Sequence, residues 1–251
     1  MKSTNDLLKS INNSIETNQS LSVIRKGDGE NVIIGFNRIK GIKLIKYLRK
    51  LRHFNISWYD IKFQQFFKSE LIQSFNNANY IGIAKDYSYS SIRKFDSEIT
   101  KYYKFDEKEL VDSHFHLEFV KNPKNDELIN PIAQDLISNK KIGIISHLNI
   151  SNFLKLHNSK IITQLSIPKR DAGILNKMNM NKFLKIKNTI ENTKKSIDIW
   201  FLAAGAYAKP FSNYIKKNDG IAIDIGSAMD TWIGEYHSRK YLREIIEKNE
   251  K

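Results

Sequence analysis

The strongest constraint on the fold is the alternation of short, nearly continuous apolar runs with longer amphipathic segments. Apolar runs of this length are typical of strands buried on both faces, as in a parallel sheet covered by helices. We predict strands at Leu21–Arg25, Tyr80–Ala84, Lys141–Ser146, Lys160–Leu165, Asp198–Ala204 and Ile221–Ile225.

Helices are predicted before and between these strands. Trp58–Phe75 carries four large apolar residues at four-residue spacing, which places them on one helical face. The alternation favours an α/β fold: a single Rossmann-like domain over residues 1–251, with a mostly parallel sheet and helices on both faces. Residues 1–18 are interpreted as a helical extension for acceptor or partner contacts. The other predicted helices are Asp6–Glu16, Ser90–Tyr102, Asp126–Ser138, Asn149–Leu156, Asn181–Glu191, Ala208–Lys217 and Ser238–Lys248.

Composition excludes several classes of protein. A chain with 41% hydrophobic residues has enough apolar surface for a core, unlike a disordered chain. The absence of cysteine excludes disulfides, thiolate metal sites and a cysteine nucleophile. No apolar stretch approaches the roughly 20 residues that a bilayer requires, and the polar N-terminus lacks the apolar segment of a signal peptide. We therefore expect a cytoplasmic protein.

The net charge of +14 raises the question of an anionic partner. Lysines occur along the whole chain together with many Asn and Ile residues, which favours a codon bias over a nucleic-acid interface. One short cluster has the spacing of a solvated helix face. Attraction to an anionic membrane surface, as a peripheral contact, or to a phosphate-bearing ligand is at least as strong an interpretation as nucleic-acid binding. The cluster comprises Lys40, Lys43, Lys46, Arg49, Lys50 and Arg52.

The first motif that suggests chemistry directly follows the first predicted strand and reads Arg-Lys-Gly-Asp-Gly-Glu over residues 25–30. Gly27 and Gly29 allow the backbone to approach a ligand closely. In an extended segment the carboxylates of Asp28 and Glu30 lie on one side, where they suit Mg²⁺ or Mn²⁺ held together with substrate phosphates. Arg25 is placed to oppose phosphate charge. The alternative is an ordinary polar turn.

Two further strand ends suggest an anion site. Gly205 and Lys209 lie in a small-residue turn that leads from a strand into a helix, where free N–H groups bind anions. Lys169 and Arg170 follow Pro168, which ends another strand. The spacing of a P-loop and of a dinucleotide-binding motif is absent from these segments. Plain packing between helix and strand is the alternative.

Acidic and histidine residues near other strand ends are candidates for proton transfer. Asp224 interrupts an apolar strand, so its carboxylate must be paired or hydrogen-bonded, for function or for structure. Asp230 lies in the loop beyond it. His114, His116 and Glu118 alternate, which would place them on one strand face. There they would form a weak zinc or general-base candidate, or simply a polar surface.

Taken in order, these motifs resemble the GT-D type glycosyltransferases. The resemblance covers most of the chain, from about Ser22 to Asp230, and is most specific in residues 25–30 and 221–230. Ile81–Ile83, the Ile-Pro-x-x-x-Ala segment at 167–172, and Gly205-Ala206-x-Ala208-Lys209 fit the same pattern. The sequence departs from the pattern at Lys26, where an aromatic residue is commoner, and we expect this to affect local packing alone.

The resemblance implies a single Rossmann-like domain that uses a nucleotide-diphosphate sugar, such as a UDP-sugar. It implies a divalent cation, Mn²⁺ or Mg²⁺, held by Asp28 and Glu30. It further implies a glycan, lipid-linked glycan or glycoprotein acceptor in the synthesis of bacterial surface polysaccharides or glycoconjugates. We expect donor contacts from Arg25, Gly27, Gly29, Gly205, Lys209 and Lys169. If a general base is required, the candidates in order are Asp224, Asp230, Glu118 and His116.

Two competing functions follow from the same residues. A non-catalytic module that binds nucleic acid or a protein partner through a basic surface would show binding that falls steeply with salt. Another nucleotide-dependent transfer, such as phosphotransfer, would use the same donor site, although the missing P-loop argues against it.

Overall fold

The computed structural model of the chain describes residues 1–83, 90–169, 177–193, 196–235 and 240–249. Within these ranges, seven strands form one sheet in which all neighbouring strands are parallel. They are β1 (Leu21–Arg25), β2 (Tyr80–Ile83), β3 (Glu109–Asp112), β4 (Lys141–Ser146), β5 (Lys160–Leu165), β6 (Ile199–Ala203) and β7 (Ile221–Asp224). Their order across the sheet is β3-β2-β1-β7-β6-β4-β5.

Helices precede and follow these strands in the described ranges. They are α1 (Thr4–Glu16), α2 (Asp28–Gly35), α3 (Leu44–His53), α4 (Ile61–Asn77), α5 (Ser90–Tyr102), α6 (Pro131–Asp135), α7 (Ser151–Leu156), α8 (Met180–Asn192), α9 (Ala208–Lys217), α10 (Ala228–Trp232) and α11 (Lys240–Asn249). None of the described helices is both long enough and apolar enough to cross a membrane.

Two apolar clusters cover the two faces of the sheet. One contains side chains from α2, α3, α4, α8 and α9, and the other contains side chains from α1, α6, α7, α10 and α11. The strands are therefore buried on both sides, which explains why their sequences are almost continuously apolar. The predicted architecture, a parallel sheet between two helical layers, is confirmed.

Helix α4 shows how the sequence determines one of these layers. Asp60 begins the helix, and its side chain accepts a hydrogen bond from the Phe63 amide at 3.1 Å. The four apolar residues at four-residue spacing are all fully buried in one cluster, where their removal from water stabilises the helix against the sheet. They are Phe63, Phe67, Leu71 and Phe75.

All six predicted strands are present, and β1, β4 and β5 have the predicted bounds. The prediction missed the edge strand β3, which has no apolar run because Val111 alone among its four residues is fully buried. The helix predicted at Asp126–Ser138 is confined to α6, because Pro131 is tolerated at the first turn of a helix and not further inside. Residues 238–239 of another predicted helix lie outside the described ranges.

The strand predicted around His114, His116 and Glu118 is wrong. These residues lie in a 3-10 helix, Ser113–Phe119, which begins where the Asp112 side chain accepts a hydrogen bond from the His114 amide at 2.8 Å. In a 3-10 helix, residues three apart share a face, so alternating residues do not. The three side chains therefore do not form one ligand set.

Helix α1 is an integral part of the fold. Leu7, Leu8 and Ile11 are fully buried in the cluster on one face of the sheet. The preceding residue Lys2 donates from its backbone amide to the carbonyl oxygen of Leu110 in β3, at 3.0 Å. Residues 1–18 are therefore packed into the core and are not a separate extension, whereas their acceptor or partner contacts stay a prediction.

Candidate active site

A cavity of about 620 Å³ opens at the carboxyl edge of the sheet, beside the ends of β1, β6 and β7. Ligands of parallel α/β sheets bind at this edge, because the loops and helix N-termini that can reach a ligand gather there. Nine of the predicted site residues line this cavity: Arg25, Gly27, Asp28, Gly29, Glu30, His116, Gly205, Lys209 and Asp230.

The residue 25–30 motif forms the passage from β1 into α2. Gly27 is the extended residue before the helix, and Asp28 is its first residue, so the expectation of an extended Asp-x-Glu segment is wrong. Residues two apart on a helix do not face each other, but acidic side chains in the first turn are stabilised by the helix dipole. The carboxylates of Asp28 and Glu30 therefore both reach the cavity from the first turn of α2.

The glycines of this motif are required by close packing. A Cβ atom on Gly29 would lie 2.5 Å from Cζ of Phe54, and one on Gly27 would lie 2.8 Å from Oε2 of Glu30. Cβ atoms in proteins essentially never show contacts shorter than 3.0 Å. The two glycines therefore allow the Phe54 ring and the Glu30 carboxylate to lie against the start of α2.

Each carboxylate of the motif contacts a lysine. Asp28 is about half exposed at the cavity mouth, and its Oδ2 lies 2.6 Å from Nζ of Lys50 in α3. Glu30 is buried, and its Oε1 lies 2.7 Å from Nζ of Lys209 in α9. The cavity thus combines two carboxylates with two ammonium groups on one side.

Asp224 lies beneath this cavity and does not line it. Its carboxylate is fully buried and pairs with Nζ of Lys209 at 2.9 Å and with Nη2 of Arg25 at 3.3 Å. Burial alone would raise the pKa of Asp224, but the two cations outweigh burial and lower it. A carboxylate held ionised out of contact with the cavity cannot serve as a general base, so the first choice among the base candidates is corrected.

Lys209 is held in its charged form by neighbouring carboxylates. Burial alone would lower its pKa, but the charges of Asp224 and Glu30 outweigh burial and raise it. Arg25, Lys209, Glu30 and Asp224 therefore form a buried ionic network under the cavity floor. Three of these four residues, Arg25, Glu30 and Lys209, line the cavity.

His116 borders the cavity as a neutral side chain. Burial and the nearby Arg25 lower its pKa well below the ordinary value. Nδ1 must carry the proton, because it lies 2.8 Å from the carbonyl oxygen of Ser113, which can only accept. Nε2 is then an unprotonated acceptor, and it has no hydrogen-bond partner among the described residues. Within the described part of the chain, His116 therefore holds a buried acceptor without a partner beside the cavity.

The loop after β7 closes the other side of the cavity. Gly226 has a φ of +48°, and a Cβ atom there would lie 1.8 Å from Nη2 of Arg25. Gly205, after β6, also has a positive φ of +54°, but a Cβ atom there would have no neighbour within 4 Å. Gly226 therefore makes room for the Arg25 guanidinium, whereas Gly205 is required for its backbone conformation.

The comparisons with known proteins identify the family. A family model described as a GT-D fold-like domain matches residues 2–232. The chain belongs to the GT-D-like family. This match covers the whole sheet and every cavity-lining residue except Tyr241, so the resemblance that we saw in the motifs is confirmed. Among curated protein sequences, no match was found.

Solved structures share the fold of this GT-D-like chain at low sequence identity. One is described as "The highly conserved domain of unknown function 1792 has a distinct glycosyltransferase fold"; it is 14% identical, with a TM-score of 0.56, over 92% of this chain and 79% of that chain. Another, "A New Glycosyltransferase (DUF1792) from Streptococcus sanguinis", is 15% identical, with a TM-score of 0.52, over 89% and 82%. Family and fold together place the chain among the glycosyltransferases.

Three predicted site residues of this GT-D-like chain do not line the cavity. Besides Asp224, Glu118 points elsewhere and accepts a hydrogen bond from Nδ2 of Asn130 at 2.9 Å. Lys169 is exposed near the rim, and its carbonyl oxygen accepts a hydrogen bond from Nδ2 of Asn55 at 2.7 Å. Arg170 and the Asp171 and Ala172 that follow lie outside the described residues.

Lys26 occupies the position where the family pattern favours an aromatic residue. Its side chain is almost fully buried, and Nζ lies 2.6 Å from Oδ1 of Asp96 in α5 and also contacts Thr100. Burial lowers the pKa of Lys26, and the Asp96 charge opposes this shift. The Lys26 side chain is therefore held in the interior by an ion pair.

Sequence reasoning missed several residues at the cavity. Lys50 was interpreted as part of a solvated helix face, although it reaches Asp28. Tyr207 is buried and donates from its hydroxyl to the carbonyl oxygen of Phe54 at 2.6 Å, which ties the end of α3 to the start of α9. The pairing of Lys50 with Asp28 has no sequence signal, because it depends on how α3 packs against α2.

The donor chemistry of Asp28 and Glu30 fits a divalent cation shared with a substrate. Both carboxylates line the cavity, and Mg²⁺ or Mn²⁺ sites commonly use one or two carboxylates together with phosphate oxygens and water. In the described part of the chain, no group of three or more His, Asp or Glu side chains is placed to hold a metal. The two carboxylates therefore suit a cation that a diphosphate helps to bind, in competition with Lys50 and Lys209.

Proposed function

We propose that this GT-D-like chain transfers a sugar from a nucleotide-diphosphate sugar, such as a UDP-sugar, to a hydroxyl of a glycan, lipid-linked glycan or glycoprotein. The observation that carries the proposal is the cavity at the carboxyl edge of the sheet, where Arg25 and Lys209 are held as cations by a buried carboxylate network. This arrangement suits a diphosphate, whose negative charge increases as the sugar leaves.

The buried network supports this role by preorganisation. Arg25 and Lys209 are fixed by Asp224 and Glu30 before any ligand arrives, so little reorganisation is needed when charge develops on the leaving diphosphate. The start of α2 adds the partial positive charge of a helix N-terminus to the same side of the cavity. We assign the β-phosphate end of the donor to this side.

We further propose that Asp28 and Glu30 hold Mn²⁺ or Mg²⁺ together with the donor diphosphate. The cation would act as a Lewis acid toward the leaving diphosphate. Without the cation, Lys50 neutralises Asp28 and Lys209 neutralises Glu30. Each carboxylate therefore has a positively charged partner whether or not the cation is bound. Asp28, at the exposed mouth, is the ligand that solvent reaches first.

For an inverting transfer, we propose Asp230 as the general base. Asp230 and His116 are the two base candidates that line the cavity. We assign His116, which lies beside the cavity with an unprotonated Nε2, the role of orienting the acceptor hydroxyl. Use in bacterial surface polysaccharide or glycoconjugate synthesis, and a cytoplasmic location, stay predictions.

The decisive experiment measures nucleoside diphosphate release from a panel of sugar nucleotides with and without Mn²⁺. We expect Asp28→Asn and Glu30→Gln to lower release by about 100-fold or more, because each removes a charged group at the leaving diphosphate. Asp230→Asn should retain donor binding, seen as thermal stabilisation, and lose transfer to an acceptor. Asp135→Asn is the matched control, since Asp135 is exposed and does not line the cavity.

Release that resists both a chelator and Asp28→Asn would contradict the proposed cation site. If no sugar nucleotide stabilises the protein and none is cleaved, the transferase proposal itself fails, and a non-catalytic binding module replaces it. Transfer of a phosphoryl group in place of a sugar, detected by product analysis, would favour the phosphotransfer alternative.

A further inference from the structure

Exposed large apolar side chains are concentrated in one short part of the chain. Helix α3 exposes three of them, and the turn before α4, together with the first residue of α4, exposes three more. Trp58 is 67% exposed and Ile45 is 60% exposed. We call this set the α3 surface: Leu44, Ile45, Leu48, Trp58, Tyr59 and Ile61.

The segment that carries the α3 surface is strongly basic. Residues 38–62 contain eight Lys or Arg residues and one acidic residue, Asp60, so this short segment carries half of the net charge of the chain. Asp60 is engaged in capping α4. On α3, Arg49 and Arg52 are exposed on the same outward face as Ile45 and Leu48, because positions three, four and seven apart share a face. Apolar side chains and cations therefore alternate on one surface.

The two parts of the α3 surface are connected by buried hydrogen bonds. Tyr47, on the inner face of α3, donates from its hydroxyl to Oε1 of Gln64 at 3.1 Å. Nε2 of Gln64 donates to the carbonyl oxygens of Ser57 at 2.8 Å and of Trp58 at 2.9 Å. The backbone that carries Trp58 is thus fixed relative to α3, and the exposed side chains belong to a preformed surface.

We propose that the α3 surface binds an anionic lipid bilayer. Exposed aliphatic residues, a Trp-Tyr pair and interspersed cations form the combination that partitions into the interface of a membrane with negative headgroups. A second copy of this chain fits less well, since two such basic surfaces would repel each other. A nucleic acid would use the cations but gains little from Leu44, Ile45 and Ile61.

The location of the α3 surface connects it to the cavity. Lys50, His53 and Phe54, at the end of α3, line the cavity, and Lys50 contacts Asp28. A bilayer against the outer face of α3 would therefore lie beside the cavity mouth. This part of the inference rests on the proposed function: it assigns the acceptor to the class of glycans carried on a membrane lipid.

The test is sedimentation of the full chain with vesicles, in the absence of any sugar nucleotide. The probes are vesicles of phosphatidylcholine alone and vesicles that also contain phosphatidylglycerol. We expect binding to the anionic vesicles that falls as salt is raised. Ile45→Ser and Trp58→Ala should each lower the partition coefficient about tenfold, and Arg49→Glu with Arg52→Glu should lower it more than about tenfold.

Two matched controls separate this surface from general charge and hydrophobicity. Leu156→Ser removes an equally exposed apolar side chain elsewhere, and Lys155→Glu with Lys185→Glu makes the same change in net charge on exposed residues. Both controls should bind anionic vesicles as the unchanged chain does. Equal loss of binding in a control variant would overturn the inference.

Three further results would overturn it. The first is a chain that does not sediment with anionic vesicles at low salt. The second is a dimer in light scattering that Ile45→Ser converts to a monomer, which would assign the surface to a second copy. The third is binding of a single-stranded oligonucleotide that competes with vesicles and is insensitive to Ile45→Ser and Trp58→Ala. Because no donor is present, vesicle binding and sugar transfer can each fail while the other succeeds.

Discussion

Lys209 lies between two buried carboxylates, Glu30 and Asp224, and a second cation, Arg25, pairs with Asp224 from the other side. Removing one member of such a network is costly, because an uncompensated charge is left in a buried place. Its net contribution to stability is smaller than this cost suggests, since all four groups lose water on folding. We therefore interpret the network as a device for positioning charge, more than as a source of stability.

At the residue scale, His116 makes stability depend on pH. Its pKa is lowered in the folded chain, chiefly by burial, so below about pH 6.5 the unfolded chain takes up a proton that the folded chain does not. Stability contributed in this way is present above the unfolded pKa and is lost as pH falls toward the folded pKa. We expect the free energy of unfolding to fall by about 1 kcal/mol per pH unit in this window on account of His116.

The measurement is urea unfolding between neutral and mildly acidic pH for the unchanged chain and His116→Asn. Asparagine can still donate from Nδ2 to the carbonyl oxygen of Ser113, but it does not titrate. His147 and His157 also have pKa values lowered by burial, and they are present in both proteins, so the difference in slope reports His116. Equal slopes would show that His116 is protonated equally in both states.

At the scale of elements, the cavity is assembled by the segments that follow β1, β6 and β7. Their register is fixed by the ladder between β1 and β7, in which Val23 pairs with Ile223, and by that between β6 and β7, in which Leu202 pairs with Asp224. These pairs bring Arg25 and Asp224 to the same edge, one just beyond the β1–β7 ladder and the other at the end of β7. The strands therefore determine which charges meet.

The glycines that follow β6 and β7 give a prediction at this scale. Gly205→Ala should cost about 1–2 kcal/mol of stability, because alanine is strained at positive φ and meets no neighbour there. Gly226→Ala should cost about 1.5–3 kcal/mol more, because its Cβ atom would also displace the Arg25 guanidinium from Asp224. Urea unfolding of the two variants measures the difference, and equal costs would show that Arg25 moves without loss.

The strands and most helices could be predicted from sequence because burial on both faces gives an apolar run, and burial on one face gives helical spacing. Helix α2 has neither signal: all of its residues after Asp28 are buried, and it is short, so the motif that begins it was interpreted as extended. Likewise, the position of Asp224 in an apolar strand predicts that its carboxylate is paired, and the structure confirms this pairing. The sequence does not predict which residues pair with it. Lys209 and Glu30 meet through the fold alone.

At the scale of the whole molecule, the chain has two cores joined through one sheet. Buried residues of α1 belong to one of these cores, so α1 should be needed for the stability of the whole chain. We expect Leu8→Ala to cost about 2–5 kcal/mol, because Leu8 is fully buried, whereas Leu156→Ala should change stability by less than about 0.5 kcal/mol. Urea unfolding followed by both far-ultraviolet circular dichroism and tryptophan fluorescence provides the measurement.

The two probes should also report one transition, since both clusters cover the same sheet. A first transition that is lost in Leu8→Ala while the remainder unfolds normally would show that α1 is a separate unit. That result would restore the interpretation of residues 1–18 as an extension.

The central position of the β1–β7 pair has a consequence for how the molecule is made. Leu21 pairs with Ile221, so the middle of the sheet joins the first and the last strands to be synthesised. At about 5–20 residues per second, the nascent β1 waits on the order of 10–40 s at the ribosome for its partner. Throughout that interval the edge of β1 that pairs with β7 has no native partner, and chaperones that shield exposed segments of nascent chains are the natural means of keeping it from aggregating.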